Sequence, residues 1–549
     1  MIVFEIVVVM LLVGAVLAAV ARRVGAPYPA LVALAGAALA FVPSMPSLVL
    51  DPELTLVLFV APVLIDAAFD ASPRDLRANW RPVASLALGS VALTIAVVAT
   101  LAKLLVPDMP WGAAIALGAI VSPPDAAAAT TVLKQLRPPH RLLVILEGES
   151  LFNDASALLV YRLAVGATAS GFLSGWSVLP NLLGVTAGSV ILGLVLVRLT
   201  LAATARIRDV GTAVVFQFCT TFGVWILAER LHLSGIITTV VFAMAASRRA
   251  ALLTPARVRI PSWAVWGVAV FVLNVLAFTL VGFQLKDLAA RLSRPTAVSY
   301  AGVAAAICVA AILSRIAWVT GAAMISRRRR RPGDSSKPGQ RDELALTPRG
   351  AAVVGWCGMR GIVTLAAALA LPNGGDGSSP FPYRDLILVA SFGVVFGTLV
   401  LQGLTLRPLL LWLRLEDDGA VEREVRLARV EAFRAAVEAA AACPGSETAE
   451  LVLSRFKLEA SRAEQDQQRG SSDVARSALG ANTLPTGGRD AEAAVVRAAT
   501  AALRRRLVAL RTDGTIGDAA FQRVEEELDW VQLGWSQLLG AGQQADREV

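Results

Sequence analysis

Apolar residues recur along this chain in uninterrupted runs from Ile2 to about Leu413, parted by short polar breaks rich in arginine. Runs of about 18 to 25 residues cross roughly 30 Å of hydrocarbon as helices. They are apolar on every face, whereas barrel strands alternate, so the pattern reads as helical. It predicts about thirteen spans, near residues 2–20, 27–45, 53–70, 83–105, 111–133, 142–166, 177–200, 210–228, 234–247, 262–283, 296–324, 350–371 and 385–413, the ninth being short. The first run lacks a basic leader and a small-residue cleavage site and reads as a retained span. From about Glu416 the pattern changes to Ala, Arg and Glu at helical spacing, broken at 470–473 and 485–488. The expected organisation is an all-α polytopic membrane unit over residues 1–415 and a helical cytosolic unit over 416–549. Val524, Leu528, Val531, Trp535 and Leu538 form one apolar side of its last helix, a packing face rather than a ligand site. The tail carries no catalytic constellation; a regulatory or dimer-supporting role and a solvated appendage are both open.

With 56% hydrophobic and 17% charged residues among 549, and a mean hydropathy of +0.63, the chain is not an ordinary soluble domain. Charge adds orientation. Loops after odd-numbered spans hold Arg22, Arg23, Arg74, Arg77, Arg81, Lys134, Arg137, Arg141, Arg206, Arg208, Arg248, Arg249, Arg257, Arg259 and the run Arg327 to Arg331. Loops after even-numbered spans hold few: Arg230, Lys286, Arg291, Arg294 and Arg384. The positive-inside rule then puts the N-terminus outside and the C-terminus in the cytoplasm. The net charge of +9 follows from this bias, so no nucleic acid is implied, and the arginine run suits anionic headgroups. Cys219, Cys308 and Cys357 fall within spans and Cys443 in the tail, suggesting no disulfide framework. The two histidines, His140 and His232, lie near span ends and do not suggest a metal site.

The informative departures are acids inside apolar runs. Glu149, Ser150, Leu151, Phe152, Asn153 and Asp154 place two carboxylates in the sixth span. An ionised carboxylate in hydrocarbon is costly, so such acids face protein or water cavities and handle ions or protons. Positions 149 and 153 share a helix face, while Asp154 is turned about 100° onward. One helix can thus present a structural acid and a working acid. Arg315 in the eleventh span and Arg360 in the twelfth are the candidate partners of Glu149, and each buried guanidinium is expected to meet a carboxylate. If Glu149 is locked in such a pair, Asp154 is left to titrate; the competing reading neutralises Asp154 in the same way.

Two spans are interrupted. Ser122, Pro123, Pro124 and Asp125 break the fifth, and Gly355, Gly358 and Gly361 surround Arg360 in the twelfth. Paired breaks in two halves point to a transport site built from half-helices, where Asp125 offsets positive helix ends and Arg360 negative ones. Asp66, after Pro62 in the third span, either reaches the ion path or hydrogen-bonds a neighbouring helix end. Asp70 lies nearer the cytosolic border and is expected to be solvated.

These residues resemble the monovalent cation:proton antiporter-1 family, over roughly residues 1–415. The run GESLFND at Gly148 to Asp154 is similar to that family's GES-x-x-ND signature. Pro62 to Asp66, Ser122 to Asp125, Ser234-Gly235, Phe271 to Leu285, Gly358 to Gly361 and Gly397 to Leu406 also resemble family blocks. The resemblance implies that Asp154 alternately binds cation and proton and that Asn153 occupies the position marking electroneutral exchangers. It implies that Ser150 and Asp66 help Asp154 coordinate a transient Na⁺ or K⁺, that Glu149 and Arg315 form a structural pair with Arg360 beside the crossing, and that Asp125 is the acid of the other broken helix. In one departure, the family follows that acid with Pro, whereas here two prolines precede it and Ala126 follows. The implied fold is a core of crossed, interrupted helices with inverted repeats, moving against a dimerisation panel in a bacterial plasma membrane. The expectation is a homodimeric antiporter, not an enzyme, without cofactors, exchanging Na⁺ or K⁺ for H⁺ and so regulating intracellular pH. A cation channel, an intramembrane aspartyl protease using Asp125 and Asp154, and a cation-responsive sensor are the alternatives.

Overall fold

The computed structural model describes residues 2–40, 52–136, 138–170, 175–204, 206–207, 209–253, 256–328, 347–372, 380–415, 417–442, 447–469 and 489–545. Cys443, Arg329 to Arg331 and both expected tail breaks lie outside them.

The chain opens with α1 (Ile2–Val24) and α2 (Tyr28–Ala40). Then come α3 (Pro52–Thr55), a π-type turn over Leu56–Val60 and α4 (Ala61–Asp70). Short α5 (Pro73–Ala78) precedes α6 (Trp80–Ala84), a second π-type turn at Ser85–Ser90 and α7 (Val91–Leu105). Pro62 and Pro82, which cannot donate to the helical ladder, lie beside these two turns. Two half-helices, α8 (Trp111–Val121) and α9 (Ala126–Leu136), lead to α10 (His140–Ser170). Longer helices follow: α11 (Gly175–Thr204), α12 (Val210–Arg230), α13 (Gly235–Leu253), α14 (Ala256–Arg291) and α15 (Arg294–Arg328). A second broken pair, α16 (Pro348–Trp356) and α17 (Ile362–Leu369), precedes α18 (Arg384–Leu413). The tail comprises α19 (Ala420–Ala441), α20 (Glu447–Arg469), α21 (Arg489–Thr512) and α22 (Asp518–Ala545).

Seven described helices are long and apolar enough to cross a bilayer unaided. The broken pairs fail that standard because each half is too short to span hydrocarbon. The ninth span, expected to be short, runs for 19 residues as α13, its last turns carrying Arg248 and Arg249 beyond the apolar stretch.

Two packing groups emerge. Helices α1, α2, α4, α11, α12, α13 and α14 pack among themselves, as do α7, α8, α10, α15, α16 and α18, with contacts between α2 and α18 joining the groups. Backbone approach is closest between α2 and α14, where a Cβ on Gly282 would fall 2.2 Å from the Ala37 nitrogen. Only a residue without a side chain permits that approach. A second hydrophobic cluster, centred on Val425, Phe456, Leu503, Leu507 and Phe521, belongs to the tail.

The tail is docked rather than free in solvent. Arg259 of α14, 5% exposed, donates Nε and Nη2 to the two oxygens of Asp529 at 2.6 Å each and Nη1 to Glu525 at 2.6 Å. Arg504 joins Asp529 at 2.6 Å. Burial pushes the Glu525 carboxyl up, against the pull of Arg259. On the other group, Ser72 donates to Asp518 at 2.7 Å, and Glu424 accepts from the Gly517 amide at 2.6 Å beside Arg74 at 3.6 Å. The short helix α5 is itself tied to α10 through His140 to Asp75 at 3.4 Å and Arg141 to Asn79 at 2.8 Å. The tail therefore touches both packing groups.

Candidate functional site

The two broken spans meet at their breaks. The Asp125 amide donates to the Met359 carbonyl at 2.6 Å, pinning one break to the other. A Cβ on Gly361 would lie 1.8 Å from Asp125 Oδ2, so only glycine leaves room for this carboxylate at the start of α17. There it faces the positive end of a half-helix.

Arg360, fully buried, works on the opposite polarity. It donates Nε to the Val121 carbonyl at 3.0 Å, Nη2 to the Ala311 carbonyl at 3.3 Å and Nη1 to the Gly358 carbonyl. Its backbone amide donates to the Thr398 hydroxyl at 3.0 Å. The expectation that Arg360 meets a carboxylate is corrected here: among the described residues its partners are carbonyl oxygens. The Val121 carbonyl ends α8 and carries the partial negative charge of a helix C-terminus, and the forked guanidinium reaches it together with carbonyls of the break and of α15.

The second buried arginine has an acid. Arg315, 1% exposed, grips Glu149, also 1% exposed, through both terminal nitrogens, the Nη2 to Oε2 bond measuring 2.8 Å. It also reaches the Val354 carbonyl at 3.1 Å and that of Cys357 at 3.4 Å, at the end of α16. Glu149 is thereby neutralised, and the helix that carries it is fixed to a break.

One helical turn further along α10 stand Asn153 and Asp154. Asn153 Nδ2 donates to the Pro124 carbonyl at 2.9 Å, while its buried Oδ1 has no partner among the described residues. The two prolines before Asp125 thus supply a carbonyl that a side chain of α10 takes up. Ser150 Oγ accepts from the Ala126 amide at 3.5 Å, covering the start of α9. Asp154 is 7% exposed, has no hydrogen-bond or ion-pair partner among the described residues, and lies within electrostatic reach of Asp125. The crossing so gathers Asp125, Glu149, Ser150, Asn153, Asp154, Arg315 and Arg360.

Asp66 is placed differently. It opens with Asp70 into a cavity on the tail side, within reach of Lys134, and the hydrogen bonds of the crossing do not include it. Among the described residues no three acids, histidines or cysteines cluster tightly enough to hold a resident metal.

Two buried polar residues of α18 carry no charge to mark them in the sequence, and one of them, Thr398, touches the crossing. Thr398 lies in the block from Gly397 to Leu406. Gln402, one turn on, is fully buried, with neither amide atom partnered among the described residues.

Residues 7–412 match the family described as sodium/hydrogen exchanger, transmembrane. An uncharacterised Na⁺/H⁺ exchanger of Mycobacterium bovis is 32% identical over 448 residues, covering 80% of each chain. A sodium, potassium, lithium and rubidium/H⁺ antiporter of Bacillus pumilus is 31% identical over 399 residues, covering 70% of this chain and 57% of that one. The sodium proton antiporter MjNhaP1 of Methanocaldococcus jannaschii shares the fold with a TM-score of 0.56 at 16% identity, over 75% of this chain and 99% of its own. The matched segment contains every residue of the crossing, and the chain belongs to the transmembrane sodium/hydrogen exchanger family.

Proposed function

We propose that the chain is a secondary antiporter that exchanges Na⁺ or K⁺ for H⁺ across the plasma membrane by alternating access, with Asp154 as the shared site. The observation that carries this reading is the contrast among buried charges. Glu149 is neutralised by Arg315 and Arg360 is solvated by backbone carbonyls, while Asp154 has neither among the described residues. An unpaired carboxylate there needs a proton or a metal cation before the site can be sealed from water, because an isolated buried charge is prohibitive. Loading by either ion permits the core to shift against the panel, and the empty anion does not. Competition for one carboxylate then enforces exchange.

Ser150 and the unpartnered Oδ1 of Asn153 supply further oxygens beside Asp154 for a dehydrated alkali cation. With an amide at position 153, one carboxylate carries one charge per cycle and the exchange is electroneutral. Asp66 lies on the approach from the tail side, and Asp125 with Arg360 balances the half-helix ends. The Bacillus pumilus relative's name, with four alkali cations in it, supports a site tolerant of Na⁺ and K⁺. The basic loops support a cytoplasmic tail and an outside N-terminus, and the family likeness supports a homodimer. In the cell such exchange regulates internal pH and cation content.

Proteoliposomes test this. An imposed Na⁺ or K⁺ gradient is expected to move protons the opposite way without net current. Proton movement independent of the cation contradicts antiport, and a current that scales with turnover contradicts electroneutrality.

A further inference from the structure

A cavity of about 570 Å³ lies where the docked tail roofs α4, α11, α12, α13 and α14. No residue of the crossing lines it. Its volume suits a small organic molecule rather than a bare ion. Six aromatic rings form its walls: Phe69, Phe216, Phe242, Trp263, Trp266 and Phe521. Two of these rings already face cations, with the Arg511 guanidinium 4.5 Å from the Phe521 centroid and that of Arg259 5.8 Å from the Trp263 ring. Aromatic faces attract positive charge.

The ionised groups decide the sign of the ligand. Each arginine at the cavity is already paired: Arg259 with Glu525 and Asp529, Arg511 with Asp518, Arg523 with Glu422. Three acids that line it, Asp66, Asp70 and Glu526, have no salt-bridge partner within 4 Å among the described residues. Lys134 acts on Asp66 and Asp70 from α9, but its ammonium is engaged with Glu147 at 3.8 Å. The balance favours a cation. A metal ion is not the match, since the acids do not converge.

We propose that this cavity binds a monovalent organic cation with an apolar, ring-sized body, such as a quaternary or protonated amine, its charge directed at Asp70 and its body held between the rings of Phe216 and Trp263. Because Asp66 lines the same cavity, an occupant closes the tail-side approach and slows exchange; that consequence rests on the function proposed above, while the binding itself does not.

The test uses the full chain in detergent, titrated calorimetrically with phenyltrimethylammonium, and with benzyl alcohol as a neutral compound of similar body. Saturable binding of one ammonium per chain is expected, with none for benzyl alcohol, and affinity should fall at least about tenfold in Asp70→Asn and in Phe216→Leu. Phe216→Leu retains an apolar wall and keeps the test open should Asp70→Asn not fold. Absence of saturable binding, equal binding of the alcohol, or unchanged affinity in the folded variants overturns the site. A second arm adds the ammonium to vesicles whose tail side faces the bath. Slower exchange is expected; unchanged exchange with intact binding contradicts the approach through Asp66 and leaves the site standing.

Discussion

Arg360 Nε donates to the Val121 carbonyl at 3.0 Å, so a side chain from one broken span closes the end of the other. The same guanidinium reaches the carbonyls of Ala311 and Gly358. Its removal leaves the buried Val121 and Gly358 carbonyls without this donor, each at about 1–3 kcal/mol, while that of Ala311 keeps the Ser314 hydroxyl. Arg360→Ala is therefore expected to lose several kcal/mol and fail to purify as a folded protein. Arg360→Lys, which lacks the planar fork, should fold with a lower melting temperature. Thermal melting in detergent measures both, and a wild-type melting point for Arg360→Ala contradicts the assignment.

The Glu149 and Arg315 pair gives a separable expectation. Removing either partner leaves a buried charge uncompensated, at about 3–5 kcal/mol. The double variant Glu149→Gln, Arg315→Gln should recover part of that loss, and only part, because Arg315 also serves the carbonyls of Val354 and Cys357. A double-mutant cycle on melting free energies reads the coupling, and additive losses contradict the pair.

Much of the crossing was legible in the chain itself. Acids in apolar runs and paired Pro and Gly breaks are costly in lipid, and cost marks them. Two partners for Arg360 were also visible, a carboxylate and the negative helix ends: a guanidinium suits an anion or several carbonyl dipoles, and only the crossing geometry decides. For Asp66 the chain leaves open the ion path and a neighbouring helix end, and α4 places it at a cavity on the tail side. The docked tail was obscured for another reason. Glu525 and Asp529 share a helix face four residues apart, as on any solvated amphipathic helix, and nothing local distinguishes acids awaiting Arg259 from acids awaiting water.

His140, at the head of the helix that carries Asp154, gives a pH dependence. Its hydrogen bond to Asp75 holds the imidazole above its ordinary value of 6.5, with Glu147 and Asp418 adding to the same effect against burial. Burial pushes Asp75 up, but His140, Ser72 and Arg74 together hold it below the usual carboxylate range. A histidine raised on folding stabilises fully below pH 6.5, and this stabilisation is lost as pH rises through the raised value. His140→Gln should then lower stability by under about 1 kcal/mol in acid, the pair being partly exposed. It should match wild type in alkali. Melting curves across pH check this, and a deficit confined to high pH contradicts the sign.

Arg259 anchors the tail. Arg259→Ala leaves Glu525 and Asp529 buried with less compensation, an effect of about 3–5 kcal/mol at such a site. Limited proteolysis should cut the tail of this variant faster than that of wild type while residues 1–415 stay protected. Equal cutting rates contradict a docked tail held by this arginine.

The central claim concerns one carboxylate, and radiotracer uptake addresses it most directly. Proteoliposomes holding an outward proton gradient are given external ²²Na⁺ for wild type, Asp154→Asn and Asp154→Glu. Wild type is expected to accumulate the tracer. Asp154→Asn, which neither titrates nor offers a charge, should remain at the level of empty vesicles, while Asp154→Glu should retain partial, pH-shifted uptake. Wild-type uptake by a folded Asp154→Asn contradicts the account.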